Sequence, residues 1–438
     1  MSFFSKKKKI SPSNSAPDNG LTSQQLPFPS ESQSHSPQPP SDHPWSVLRL
    51  NPAFLSKNAP PSGPSSSPFP RFGHASPATA TAAGELFVFG GLAHNSIRDE
   101  LYMFSTRDFS TTLLQTSGEV PGPRFRPAAA LVSSVLLIWG GVTKFDDQGE
   151  PKGPYDDSLY LLSLASRVWT RVVRNGPGPV GRCRHGVTMV GSKLFVFGGQ
   201  VDGKLLNDMW ALDLNSLQSN PVWESYEPAP GDKMPPPRIG HVLVSTGDRI
   251  ILFGGSDGRY HYDDTWLFDI SARKWTELEC TGHIPSPRRG HAAALVDDVM
   301  YVFGGRGVDG ANLGDLTAFK LSTQRWFTFQ NIGPSPSSGS GHAMVSDGTR
   351  VFVLGGSSAG VLADGTILIH ALDTKRIKYP NTDPKAVKPR EKTAQLAREI
   401  SVGPPTQGQP QHSISSPSYA LLASETPVRM VCHLNLRV

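Results

Sequence analysis

Three cysteines in 438 residues, Cys183, Cys280 and Cys432, are too few to staple a fold, and no N-x-Ser/Thr glycosylation sequon occurs. Charge is sparse as well, at 18% of residues. No apolar run approaches the roughly 18 residues of a membrane-spanning helix; the longest, around Leu136–Trp139, is strand-sized. The opening MSFFSKKKKISPS is basic but has no apolar stretch behind it, so it does not read as a secretory signal. Ser2 stands where a myristoylated chain carries glycine, and there is no prenylation ending. These absences predict a soluble, cytoplasmic chain with no transmembrane segment. What is plentiful is glycine (43) and proline (40), which favours many turns over helical bundles.

The formal net charge of +5 is spread in an informative way. Residues 1–42 carry +1 and residues 381–438 carry +3, leaving +1 across the whole middle of the chain. A nucleic-acid-binding core concentrates its basic excess, so no nucleic-acid partner is expected. Lys6 to Lys9 form one local run; without a second anchor, four lysines support only weak contact with an anionic membrane surface.

Composition divides the chain into three. From Ser11 to Pro70, proline and serine supply 29 of 60 residues, a mixture that buries too little apolar surface to offset its ordering entropy. Disorder is therefore expected over 1–42. His43–Leu50 (HPWSVLRL) breaks the pattern by alternating apolar and polar residues, as a strand does. Residues 381–438 are polar again, with one short helix expected over 391–400.

Between the tails the sequence repeats. An apolar strand ending in a glycine pair recurs six times, at Gly90-Gly91, Gly140-Gly141, Gly198-Gly199, Gly254-Gly255, Gly304-Gly305 and Gly355-Gly356, with intervals of 50, 58, 56, 50 and 51 residues. Other features keep step. Arg-x-x-His opens four repeats (Arg71…His74, Arg182…His185, Arg238…His241, Arg288…His291); Arg124 and His342 open the other two, where Pro127 and Gly339 replace the second partner. Strands with an acidic residue and an aromatic follow, centred on Tyr102, Tyr160, Trp210 and Trp266. A late aromatic comes next, at Trp169, Trp223, Trp275, Trp326 and, in the sixth repeat, Tyr379; the first repeat lacks one. Each repeat thus reads as four short strands. The second is apolar on consecutive residues (Phe87-Val88-Phe89), as in a strand covered on both faces. A lone four-stranded sheet cannot cover both faces, but a closed ring of such sheets can.

The glycine pair, the spaced aromatics and the period near 50 resemble the kelch repeat. That resemblance implies an all-β fold, a six-bladed kelch β-propeller over 43–380, with repeats starting near 71, 124, 182, 238, 288 and 339 and disordered N- and C-terminal tails. Ring closure by Trp45–Leu50, as the outer strand of the last blade, is expected from it; the other reading is that His43–Leu50 merely packs on the rim. The stretch ELYMFSTRDFSTTLLQTSGEVPGPR, with HPWSVLRLNP and IHALDTKRIKYP, is similar to fungal kelch cell-end marker (cell polarity) proteins. In that family a propeller precedes long coiled coils and acts as a scaffold at microtubule ends and growing cell tips. No heptad run follows Pro380 here. The resemblance implies an interaction scaffold at the cell cortex or cell tips, with acidic peptide segments or cytoskeleton-associated polarity factors as partners. A ubiquitin-ligase substrate adaptor and a metal-dependent propeller enzyme are the alternatives.

Catalytic chemistry finds little support. His74, His185, His241, His291 and His342 fall one per repeat, so a ring keeps them apart rather than gathering them on a metal; each is expected to bond within its own blade. Asp257 and His261 have the spacing of an iron-binding kelch motif, but Phe253 stands where its glutamate belongs. Gly305-x-Gly307-x-x-Gly310 matches a dinucleotide fingerprint, yet a loop follows instead of a helix. No cofactor, no metal and no enzyme activity are expected. Arg71, Arg124, Arg182, Arg238 and Arg288 are the candidate partner-binding residues: at equivalent places around one mouth, their guanidinium groups would suit carboxylates. The other reading is that each ties its own blade to the next. Two loops are further candidates. Lys144, Phe145 and Tyr155 lie in a stretch lengthened in the second repeat, and Arg259, Tyr260, His261 and Tyr262 pair aromatic with basic character.

Overall fold

The computed structural model describes residues 43–50 and 68–379, apart from 147–150, 154, 175, 219–220, 332 and 358–366. The lysine run 6–9, the helix expected over 391–400 and both tails lie outside the described residues.

Six sheets form a six-bladed propeller, antiparallel except where Ser117–Gly118 and Thr281–Gly282 add short parallel outer strands to the second and fifth blades. The fourth blade shows the pattern: Val242–Thr246, Arg249–Ser256, His261–Asp269 and Lys274–Glu277 pair in chain order. The first strands of successive blades lie beside one another around the axis. Second strands are buried almost end to end, as in Leu86–Phe89 and Ile250–Phe253, because neighbouring blades cover both faces. Six apolar clusters fill the ring, each drawing on two adjacent blades, including the sixth with the first.

Closure is made by the chain's other end. Trp45–Leu50 pairs antiparallel with Ile367–Asp373, with Trp45 opposite Leu372, as the outermost strand of the sixth blade. Trp45 also corrects the expected aromatic pattern. Trp169, Trp223, Trp275 and Trp326 each pack on the preceding blade, against Phe89, Trp139, Phe197 and Phe253 at 5.9, 5.8, 5.0 and 4.5 Å between ring centres. In the sixth blade Trp45 takes this role, 5.8 Å from Phe303. Tyr379, assigned to it by sequence order, instead packs on Phe327 and Phe329 and shares a 2.8 Å hydrogen bond with Tyr301. Phe69, buried in the cluster between the sixth and first blades, fills the place for the repeat that lacks a late aromatic.

The glycine pairs are explained by what the next blade demands. The second glycine's N–H donates to the carbonyl that opens the following repeat: Gly91 to Arg124, Gly141 to Arg182, Gly199 to Arg238, Gly255 to Arg288, Gly305 to Gly339 and, closing the ring, Gly356 to Arg71, all between 2.8 and 3.0 Å. At Gly255 the backbone has φ +102°, and an added Cβ would sit 3.0 Å from both His241 Cβ and the Ile239 carbonyl. Only glycine meets both conditions.

Candidate functional site

The five repeat arginines do not line an open mouth. Arg71, Arg124, Arg182, Arg238 and Arg288 are all 2% exposed or less, and each already holds a carboxylate of its own blade. Arg238 is typical. Its Nη1 and Nη2 donate to Asp264 at 2.7 and 2.8 Å, Nη1 also to the Gly254 carbonyl at 2.9 Å, and Nε to the Pro236 carbonyl at 3.1 Å. Its guanidinium lies 4.2 Å from the centre of the Tyr262 ring. Arg288 grips Asp315 in the same two-pronged way at 2.7 and 2.9 Å, Arg182 holds Asp208, Arg124 holds Asp156 at 3.4 Å, and Arg71 holds Glu100 at 3.2 Å. Burial alone would raise the Asp208 carboxyl, but the hydrogen bonds and charge of Arg182 outweigh it and hold it below its usual range. Buried guanidinium groups with their donors already committed cannot take a partner's carboxylate. These side chains brace their own blades, while their carbonyls tie the preceding one. A cue was present in the sequence: Glu100, Asp208 and Asp264 each precede the strand aromatic by two residues.

The repeat histidines also act between blades. His291 Nε2 lies 3.3 Å from the Phe253 carbonyl and His342 Nε2 3.1 Å from that of Phe303, each in the preceding blade. This differs from the expected bond within each blade. The His185, His241, His291 and His342 rings stand edge-on to Trp139, Phe197, Phe253 and Phe303. Burial, then the charge of the arginine three residues earlier, pushes His74, His185 and His241 down to about 3. Burial takes His342 to about 4 and His291 well below its usual value. Among the described residues no group of three or more His, Cys, Asp or Glu side chains is placed to hold a metal ion. Phe253, Asp257 and His261 do not form a cluster of ligands, since Phe253 is fully buried between blades.

The loop candidates divide. Gly258, Arg259, Tyr260, His261, Arg289, Gly307, Val308 and Gly310 line a cleft of about 400 Å³ between the fourth and fifth blades. Asp257 shapes its rim: Oδ1 accepts the N–H groups of Arg259 and Tyr260 at 2.9 and 2.7 Å, and Oδ2 accepts the Tyr262 hydroxyl at 2.9 Å. Tyr260 is 54% and Val308 72% exposed. Tyr262, by contrast, turns back onto Arg238 and belongs to the blade. Burial and then the charge of Arg289, which also lines the cleft, depress His261.

The described part of the lengthened loop packs against its neighbours. Lys144–Phe145 pairs with Pro151–Lys152 in a small hairpin. Lys144 is exposed, whereas Phe145 packs 5.4 Å from Phe125. Tyr155 accepts the Asp202 N–H from the third blade at 3.3 Å, and burial raises its phenol. Phe145 and Tyr155 join Phe72, Leu92, Ile97, Phe125, Val142 and Cys183 in a seventh apolar cluster drawn from the first three blades.

The Kelch-repeats domain family model described as KLHDC2/KLHL20/DRC7 matches residues 73–305 and 287–402. Tip elongation aberrant protein 1 of Schizosaccharomyces pombe is 32% identical over 316 residues, 72% of this chain and 27% of that protein. Human host cell factor 1 is 28% identical over 332 residues, covering 66% and 15%, and Kelch repeat-containing protein 2 of Saccharomyces cerevisiae is 32% identical over 213 residues, covering 46% and 24%. The chain thus spans about a quarter or less of the length of these relatives. With the matched family model covering most of the ring and six blades closing as the repeats require, the chain belongs to the Kelch-repeat family of β-propellers.

Proposed function

We propose that this protein is a non-enzymatic interaction scaffold, and that it serves cell polarity by presenting one face of its propeller to partner proteins at growing cell tips and the cell cortex. The observation that carries this reading is the division of labour within the ring. The repeated charged residues are consumed in bracing blades, while the exposed aromatic and basic groups, Arg259 and Tyr260 with Val308, gather around the cleft between the fourth and fifth blades. Exposed aromatic and arginine side chains beside a preformed concavity are the usual anchors of protein recognition. The likeness to a protein named for aberrant tip elongation supports the polarity role. Lys144, Phe145, Tyr155, Arg259, Tyr260 and His261 are the residues assigned to the interaction face.

The test is imaging of the tagged full chain in growing cells, combined with co-purification of partners. Accumulation at tips, weakened together with partner recovery by a Tyr260→Ala/Arg259→Ala double change, supports the reading. A diffuse signal with no partner retained overturns it.

A further inference from the structure

The fifth blade departs from its neighbours where its arginine meets its carboxylate. Two residues before the arginine stand Gly122, Val180 and Pro236 in the second, third and fourth blades, and the carbonyl of each accepts the arginine Nε. The fifth blade has Ser286 there. Its carbonyl accepts Arg288 Nε at 3.0 Å, and its hydroxyl oxygen also accepts Nη2 at 3.2 Å. That nitrogen is shared, because it donates to Asp315 Oδ2 at 2.7 Å as well. Asp315 in turn has little other support. Asp156 also accepts the Tyr160 hydroxyl at 2.6 Å, Asp208 accepts Trp210 Nε1 at 2.8 Å and Asp264 accepts Trp266 Nε1 at 2.7 Å. In the fifth blade Thr317 stands where the third and fourth have those tryptophans. Among the described residues the Asp315 side chain bonds to Arg288 alone, and it is 35% exposed.

Ser286 is also well presented. It is exposed, at the end of a stretch from His283 without regular structure. That stretch is tied at its two ends, by the His283 N–H to the Trp326 carbonyl at 3.0 Å and by the Arg288 N–H to the Tyr262 carbonyl at 3.2 Å. Between these ties Pro285 and Pro287 have no N–H to give and hold Ile284 and Ser286 extended. The Ile284 and Ser286 N–H groups bond to no backbone carbonyl among the described residues. Three serines of the described residues precede proline, Ser76, Ser286 and Ser335. The Ser76 hydroxyl is buried, and Ser335 continues as Pro-Ser-Ser-Gly. Ser286 alone continues as Pro-Arg-Arg, and the second of those arginines, Arg289, lines the cleft between the fourth and fifth blades. An exposed hydroxyl before proline, with basic residues beyond it, is the chemistry that proline-directed protein kinases read.

We propose that Ser286 is a phosphorylation site for a proline-directed kinase, and that its phosphate takes the Arg288 guanidinium from Asp315. In the transfer, Ser286 Oγ attacks the γ-phosphorus of a nucleoside triphosphate. The bond from that phosphorus to its bridging oxygen breaks, the diphosphate leaves with the electron pair, and the hydroxyl proton passes to the kinase. The product carries about two negative charges and three acceptor oxygens, on an oxygen already 3.2 Å from Arg288 Nη2. Asp315 cannot share that nitrogen with a phosphate without like-charge repulsion. With no second donor and with solvent already at its side chain, Asp315 is the group that leaves. Arg288 stays neutralised, so the ring stays folded. The consequence lies in the cleft. Asp315 follows the loop from Arg306 that carries Gly307, Val308 and Gly310 on the cleft wall, and freeing its side chain loosens that loop. The proposal deepens the interaction-scaffold reading, on which it rests for the role of the cleft, and places that cleft under the control of phosphate.

The test treats the full chain with a cyclin-dependent kinase, ATP and Mg²⁺, and maps the phosphate by fragment mass spectrometry. Hydrogen exchange then follows the amides of residues 306–315. Phosphorylation at Ser286 is expected, with exchange in that loop about threefold faster or more and the remaining blades unchanged. The Ser286→Ala chain, treated identically, should keep the exchange rates of unmodified protein, which separates Ser286 from other sites before proline such as Thr426. Asp315→Asn should show the faster exchange before any kinase is added, and phosphorylation should add nothing to it. If that variant does not fold, the comparison of modified with unmodified wild type decides alone. Ser286 left unmodified after prolonged treatment overturns the site. Phosphorylated Ser286 with loop exchange unchanged or slowed overturns the exchange of partners at Arg288. None of these measurements needs a binding partner, so a diffuse signal in the imaging test would defeat the scaffold reading and leave the phosphate switch standing.

Discussion

Removing the carboxylate from a blade-bracing pair is expected to cost the ring several kilocalories per mole, and Asp264 is the position at which to measure it. Arg238 is 0% exposed and Asp264 17%, and the pair shares two short bonds while Trp266 Nε1 donates to the same carboxylate at 2.7 Å. Asp264→Ala strands a buried guanidinium with only the Gly254 and Pro236 carbonyls and the Tyr262 ring for company. Breaking a buried pair from one side typically costs about 3–5 kcal/mol; because solvent reaches part of Asp264, the lower end, about 3 kcal/mol, is the expectation. With an unfolding entropy of about 2.1 cal/mol/K per residue, a ring of this size loses roughly 5 °C in Tm for that amount. Guanidinium denaturation of the purified chain gives the energy and calorimetry the midpoint. The double change Arg238→Met/Asp264→Leu should recover much of the loss, since no charge is left alone in the interior. If Asp264→Ala lies within about 1 kcal/mol of wild type, Arg238 is not committed to its blade and the mouth role of the repeat arginines must be restored. By the same logic, charge reversal of Arg182 and Arg238, which a mouth role would leave folded, should unfold the ring, because it sets a glutamate against Asp208 and Asp264.

Three further outcomes follow from the packing. The repeat histidines are held to about 3 at His74, His185 and His241 and about 4 at His342, against about 6.5 when unfolded. The unfolded chain therefore binds more protons below pH 6.5. Stability should be level above that value and fall on acidification by about 1.4 kcal/mol per histidine per pH unit down to about pH 4; a flat denaturation profile between pH 7.5 and 5.5 would contradict their neutral burial. Trp45→Ala removes the wedge between the fifth and sixth blades and should cost about 3–5 kcal/mol, with aggregation on heating as the ring opens, whereas a purely peripheral strand would leave the midpoint unchanged. Gly255→Ala should destabilise by several kcal/mol, because its Cβ meets the Ile239 carbonyl at 3.0 Å. Gly258→Ala, with φ +91° but open space around it, should cost only about 1–2 kcal/mol.

What could be read from the sequence, and what could not, divides along a physical line. The blade number was legible because the inter-blade bond at each second glycine imposes the same steric demand six times, and a repeated demand leaves a repeated residue. Position was legible for Arg238 and its equivalents, but role was not, since the role depends on a carboxylate more than twenty residues later that only strand pairing brings alongside. Trp45 and Tyr379 show the same limit more sharply. Order along the chain pointed to Tyr379 for the sixth blade, yet closure of a ring is a contact between its two ends and favours whichever aromatic the first strand carries. His291 and His342 escape a reading along the chain for the same reason, since the carbonyls they meet lie one repeat earlier. The hydroxyl beside Arg288 was missed from the opposite direction. Ser286 and Thr317 are departures from the repeat, and a reading built on what recurs passes over them. Their significance lies in contrast: Gly122, Val180 and Pro236 show that the brace requires only a carbonyl two residues before the arginine, so a hydroxyl at that place sets the fifth blade apart. A repeat protein therefore announces its scaffold through the residues it keeps, and what is particular to it through the ones it does not.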